Sequence, residues 1–191
     1  MAEKAEPNQD VSSAANTPSH KAETRTAKVP GRKRRARKNG KRTGTAKPQR
    51  PFPRVTFNAA LRVAQKIKEL NGGNQRPPSD VAAALDVGSS TGGFFYITAA
   101  ARDFGLTVGT RDADRIELTP LGRAIVYAPD AETERAKKVE AFFNVDVFKK
   151  VFEHYGGAGL PEMKYLGNTL ENQFGVAPAF HEEFVELFRK N

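Results

Sequence analysis

The chain has 191 residues, room for one domain or two small ones, with 31 Lys+Arg against 22 Asp+Glu and a formal charge of +9. It has no cysteine, which excludes disulfides and thiolate metal sites, and no run near the roughly 18–20 apolar residues of a membrane span. With no apolar segment of a secretory signal near the start, the sequence reads as a protein of the cytoplasm, nucleoid-associated in a bacterium.

Residues 1–50 carry 14 Lys+Arg and 4 Asp+Glu, whereas 51–191 carry 17 and 18, so the basic character belongs to the N-terminal segment. Val11 and Val29 are its only branched aliphatic residues, and it holds no aromatic. Such a segment buries too little apolar surface to offset its chain entropy, so a disordered tail is expected over 1–53. The run GRKRRARKNGKRTGTAKPQR at 31–50 has ten basic residues in twenty and no acid. Arg32, Lys33, Arg34, Arg35, Arg37, Lys38, Lys41 and Arg42 are its candidate phosphate contacts, because each neutralised phosphate releases condensed counterions. A solubilising arm or a nuclear-import signal would share this composition.

Thr56 is a plausible N-cap for TFNAALRVAQKIKELNGG, where Phe57, Leu61, Ala64, Ile67 and Leu70 define an apolar helix face. Gly72 and Gly73 end that helix, and NQRPP is extended or turn-like. Ser79 is expected to cap a short second helix with Val81, Ala84 and Leu85 inward, closed by Gly88. Ser89, Ser90 or Thr91 can cap the third helix. Its buried stripe is Phe94, Ile97, Ala101 and Phe104, with Thr98 beside them. The opposite face shows Ser90, Thr91, Gly93, Tyr96, Ala99 and Arg102, with Phe95 near the boundary. Gly105 terminates the helix, with Leu106 packing back over its last turn. LTVG and RIEL read as short strands around the turn TRDAD, and Thr119-Pro120 opens another helix.

Helix, helix, tight turn, helix, hairpin, helix is the order of a winged helix-turn-helix. The phrases SSTGGFFYITAAARDFGL and RIELTPLGRAIV also resemble winged-helix proteins of a poorly characterised bacterial and archaeal family. The resemblance implies the fold over about 57–180 and, by analogy, DNA binding. On this reading the third helix enters a major groove, with Ser90, Thr91 and Tyr96 toward base edges and Arg102 on phosphate. Arg111 and Arg115 of the hairpin would reach a minor groove or the backbone. This helix departs from the family pattern in having no Lys or Arg between Tyr96 and Arg102.

PDAETERAKKVEAFFN reads as a helix with acids first and lysines later, matching the helix dipole. Asn144 is expected to cap VDVFKKVFEHYGG, with Phe148, Val151, Phe152 and Tyr155 on one face. Pro161 opens a helix with Met163, Leu166, Leu170 and Phe174 inward, and the last run aligns Phe180, Phe184, Leu187 and Phe188. Residues 129–191 hold 8 of the 13 phenylalanines. A phenylalanine stripe at helical spacing is core packing or a partner-binding surface, for a homodimer or another protein. The chain stops at Asn191 directly after an amphipathic run, as expected of a piece of a longer protein.

The expected organisation is mainly α: a disordered basic tail (1–53), a winged helix-turn-helix (54–128) and a small helical domain (129–191). No HExxH, P-loop or dinucleotide fingerprint is present, so no enzyme activity, metal or cofactor is expected. NGGN and STGGFF read as helix end and helix entry, His154 as a helix-end residue, and Glu182 and Glu183 as a solvated face. The expected function is nucleic-acid binding, DNA before RNA, in transcription regulation or another DNA-associated role. The alternative is a protein-docking adaptor whose basic arm binds RNA or ribosomes.

Overall fold

The structure is a computed structural model that describes residues 50–156 and 158–191. The disorder expected of the tail, and its eight candidate contacts from Arg32 to Arg42, lie outside the described residues. The described residues are mainly α-helical, with eight α-helices and one two-stranded antiparallel sheet. Among them no helix is long and apolar enough to cross a membrane.

Helix α1 (Phe57–Asn71) starts where the Thr56 hydroxyl oxygen accepts from the Ala59 N–H at 3.4 Å. Its buried face is Phe57, Ala60, Leu61, Val63, Ala64 and Ile67. Leu70, expected inward, is 38% exposed in the last turn, beside the left-handed Gly72 where the chain leaves the helix. Helix α2 (Pro78–Ala84) is entered from Pro77, not capped by Ser79. The Pro77 ring fixes the extended backbone before the helix, and Pro78 at the first helical position has no N–H to cap. Asp86, not Gly88, takes the left-handed turn after α2, with φ 56°. A short acidic side chain tolerates that region better than most residues.

Helix α3 (Gly92–Asp103) is capped by Thr91 and packs against α1. Phe94, Ala101 and Phe104 are buried as expected, and Thr98 is fully buried. The hairpin is β1 (Thr107–Val108) and β2 (Glu117–Leu118), shorter than LTVG and RIEL. Ile116 also exchanges both backbone hydrogen bonds with Arg76, at 2.9 and 2.8 Å. The NQRPP segment therefore adds a one-residue third rung to the hairpin, which the prolines concealed in the sequence.

Helix α4 (Pro120–Val126) docks onto the turn that follows α3. The Thr119 hydroxyl donates to the Gly105 carbonyl at 2.6 Å and accepts from the Gly122 N–H at 2.8 Å, while the Thr119 N–H donates to the Leu106 carbonyl at 3.1 Å. A Cβ at Gly122 would collide with the Leu106 carbonyl, and one at Gly105 (φ 71°) with the Asn144 amide. The phrase TPLG is thus a cap, a first-turn proline and a point of backbone-to-backbone approach.

Helix α5 (Ala131–Phe143) is capped by Asp130, whose carboxylate accepts from the Thr133 N–H at 2.8 Å. That hydrogen bond, helped by the Thr133 hydroxyl, holds the Asp130 carboxyl below its ordinary range. Asn144 ends α5 and does not cap α6 (Asp146–His154). Its backbone continues in helical conformation, and its amide donates to the Phe104 carbonyl at 3.1 Å. Helices α7 (Met163–Phe174) and α8 (His181–Lys190), with a 3-10 turn at Pro178–Phe180, complete the fold. Met163 and Phe152, expected inward, are 38% and 42% exposed. Phe57–Asn191 contact closes the chain, the Asn191 side-chain oxygen accepting from the Phe57 N–H at 2.6 Å.

One apolar core runs through the described residues. Phe57 meets Phe104 edge-on at 5.1 Å, Phe104 meets Phe148 at 6.3 Å, and Phe148 stacks on Phe142 at 5.0 Å and meets Phe184 at 5.6 Å. The helices after residue 129 share this core with α1 and α3. Its reach also moves the expected tail boundary. Phe52 is only 5% exposed, edge-on to Phe184 at 5.2 Å, so residues 50–53 are packed and not tail. The composition of 1–50 hides this because the anchoring aromatic lies two residues past the basic run.

Candidate nucleic-acid interface

The outward face of α3 is about 18 Å long at 1.5 Å per residue. Thr91 stands at its entry, exposed, but its hydroxyl is already committed. It donates to the Gly88 carbonyl at 2.7 Å and accepts from the Phe94 N–H at 3.3 Å. The hydroxyl donor expected to read bases is used by the cap; one acceptor lone pair remains. Ser89 and Ser90, also exposed, make no side-chain hydrogen bond among the described residues, so both hydroxyls are free at this end.

Arg111 ties the hairpin to the same end. Its guanidinium donates to the carbonyls of Ser90 and Thr91 at 3.3 and 3.4 Å, pairs with Asp112 at 2.9 Å, and lies 5.0 Å from the Phe95 ring centre. Its backbone N–H donates to the buried Thr98 hydroxyl at 3.1 Å, and that hydroxyl donates back to the carbonyls of Phe94 and Phe95 at 3.0 and 3.1 Å. The hairpin is therefore pinned to α3 from both its backbone and its side chain. Arg111 is a clamp in this geometry, not the free contact that the sequence led us to expect. With Pro78, Ser79, Ser89 and Ser90 it lines an open concavity of about 520 Å³.

Tyr96 lies mid-helix and is 37% exposed, with the guanidinium of Arg54 4.7 Å from its ring centre. Two turns on, Arg102 is exposed and pairs with its neighbour Asp103 at 2.8 Å. Such a solvent-facing pair is weak, so the guanidinium can exchange its partner for a phosphate. Arg102 shares a concavity with Arg50, Pro51, Phe52 and Pro53, which places the end of the basic run beside the last turn of α3. Arg50 itself is withdrawn from that run. Its guanidinium forms a two-pronged pair with Glu183, lies 4.7 and 4.9 Å from the ring centres of Phe52 and Phe180, and is only 12% exposed. The same hydrogen bonds hold the Glu183 carboxyl below its ordinary range, so Glu183 is not a purely solvated side chain.

The structure thus brings Ser90, Thr91 and Arg111 together at the N-terminal end of α3, with Tyr96 and Arg102 exposed further along the helix. Arg115 does not join them. It is exposed on a different concavity, with Asn71, Gly73, Asn74, Gln75, Glu117 and Arg123. Three turn residues, Asp112, Ala113 and Asp114, separate Arg111 from Arg115, so the two lie on opposite arms of the reversal. Sequence reasoning missed Arg54, which had been assigned no contact. The signal was a basic residue directly after Pro-Phe-Pro, where a buried Phe and two prolines fix the chain. His154 ends α6 as expected, edge-on to Tyr155 and Phe174 at 4.7 and 5.5 Å. Among the described residues no three His, Asp or Glu side chains group so as to hold a metal ion. Comparison with protein-family models, curated proteins and solved structures finds no match to this chain.

Proposed function

We propose that residues 54–128 are a winged helix-turn-helix, and that the protein binds duplex DNA through the outward face of α3. The observation that carries this reading is the pair of exposed guanidinium groups on that helix, Arg54 over Tyr96 at its middle and Arg102 near its end. The order helix, helix, helix, hairpin, helix supports it, as does the Arg76–Ile116 rung, which gives the hairpin a third short partner. An α-helix fits the major groove, where base edges are distinguishable. Arginines flanking it suit the phosphates on either side. Arg50, the residue at which the basic run ends in sequence, shares a concavity with Arg102. Ser89, Ser90 and the remaining lone pair of Thr91 are the groups left to meet base edges.

The competing reading, a protein-docking adaptor with an RNA-binding arm, is favoured by one specific observation. An apolar concavity of about 570 Å³ lies between α5, α6 and the start of α1, with exposed Val139 and Phe152 on it. A salt titration of the full chain on duplex DNA and on RNA separates the two. The DNA reading expects affinity for duplex to fall steeply with salt. Replacing Arg32, Lys33, Arg34, Arg35, Arg37, Lys38, Lys41 and Arg42 by Gln should flatten that slope by about 3–4 if half of them meet phosphates. Binding confined to RNA, with no duplex affinity at low salt, would favour the adaptor.

A further inference from the structure

The sequence offers Tyr96 as a base-reading side chain, but the geometry assigns it a different task. We infer that Tyr96 is a positioning residue, and that Arg54, held on its ring, is a phosphate-binding residue of the DNA interface. The inference rests on the DNA reading above and deepens it by naming a contact that neither motif nor charge run had marked.

Arg54 is exposed and forms no ion pair among the described residues, unlike Arg50, Arg102 and Arg111, which each have a carboxylate within 4 Å. Its stem is short of freedom. Two residues back, Phe52 is buried among Phe148, Phe180 and Phe184, Pro53 is buried, and two residues on, Thr56 caps α1. The backbone at Arg54 is therefore fixed at both ends, and the guanidinium rests 4.7 Å from the centre of the Tyr96 ring. A guanidinium over an aromatic face is held by the ring quadrupole while its N–H edges stay free to donate. Those edges match the oxygens of a phosphate, and a charge already oriented loses less side-chain freedom when it binds one.

The stacked arrangement also occupies Tyr96. One ring face is covered by Arg54, and the Phe95 ring packs against it at 68° with a centre distance of 5.7 Å. The ring stands over Gly92, where a Cβ would approach it at 3.9 Å. What Tyr96 presents outward is thus a guanidinium on a ring, a surface for backbone and not for a base edge. Contact with phosphate carries no sequence information, so its loss must weaken all duplexes alike.

The test is a double-mutant cycle on the full chain, with affinity measured across a salt series on a selected duplex and on a random one. Circular dichroism confirms that each variant folds. Arg54→Ala and Tyr96→Ala are each expected to reduce the slope of log affinity against log salt by about 1, equally on both duplexes. The double variant should lose no more than either single one, because the two act as a unit. Tyr96→Phe, which keeps the ring and removes the hydroxyl, should bind like the wild type. A slope unchanged in Arg54→Ala, or a selective loss of preference in Tyr96→Phe, would overturn the inference and return Tyr96 to base reading. Failure of the wild type to bind duplex at all would instead sink the DNA reading itself.

Discussion

Thr98→Val tests how the hairpin is held, because it changes one buried hydroxyl and almost no volume. Thr98 is fully buried, and its hydroxyl oxygen is the acceptor for the Arg111 N–H at 3.1 Å. Valine has no acceptor, so that N–H would lose its partner in a part-buried site. An orphaned donor costs about 1–3 kcal/mol, and the valine methyl, buried without a desolvation penalty, offsets part of it. A net loss of about 1–2 kcal/mol follows, or roughly 3–7 °C in Tm for a fold of this size. The more specific reading is hydrogen exchange at the Arg111 amide. It should be protected in the wild type and in Thr98→Ser, which keeps the hydroxyl, and should exchange freely in Thr98→Val. A Thr98→Val variant with unchanged Tm and a still-protected Arg111 amide would refute the reasoning.

Three further outcomes follow from the packing. Gly122→Ala drives a methyl into the Leu106 carbonyl, a backbone atom that cannot swing aside, so it should cost at least about 1–3 kcal/mol in a urea melt; Ala124→Gly, in the same helix, is the comparison. Phe52→Ala removes a ring that is 5% exposed and touches three other aromatics, and should cost about 3–5 kcal/mol; a loss under 1 kcal/mol would mean that residues 50–53 are not part of the fold. Glu183, whose carboxyl lies below its ordinary 4.5 because Arg50 hydrogen-bonds it, stabilises the fold at neutral pH and loses that contribution as pH falls through its folded value. The Tm gap between wild type and Glu183→Gln should therefore be constant near pH 7 and close at strongly acid pH. The gap should be small, since the Glu183 side chain is 41% exposed.

Much of the helical layout was legible because it is written locally. Thr56, Thr91 and Thr119 each precede an apolar period, and each caps the helix expected of it. Signals that depend on distant partners were not. The caps at Ser79 and Asn144 failed because prolines had already set the backbone in one case and Asn144 keeps helical backbone at the end of α5 in the other. The site was read less well than the fold. Exposure follows from helical period, so Tyr96 and Arg102 were correctly expected to face solvent. Commitment of a group does not follow from period: the Thr91 hydroxyl is used in its own cap, Arg111 is clamped, and Arg54 reaches Tyr96 from 42 residues away. Those are facts of tertiary contact, and no spacing rule carries them.

The claim that α3 presents the DNA-binding face is tested most directly by amide hydrogen exchange on the full chain with and without duplex DNA at moderate salt. The account predicts new protection at Arg54, over 89–103 and at the Arg111 turn, with the concavity around Val139 and Phe152 unchanged. Protection that spares 89–103 and appears on that concavity, or on none of the described residues, would contradict it.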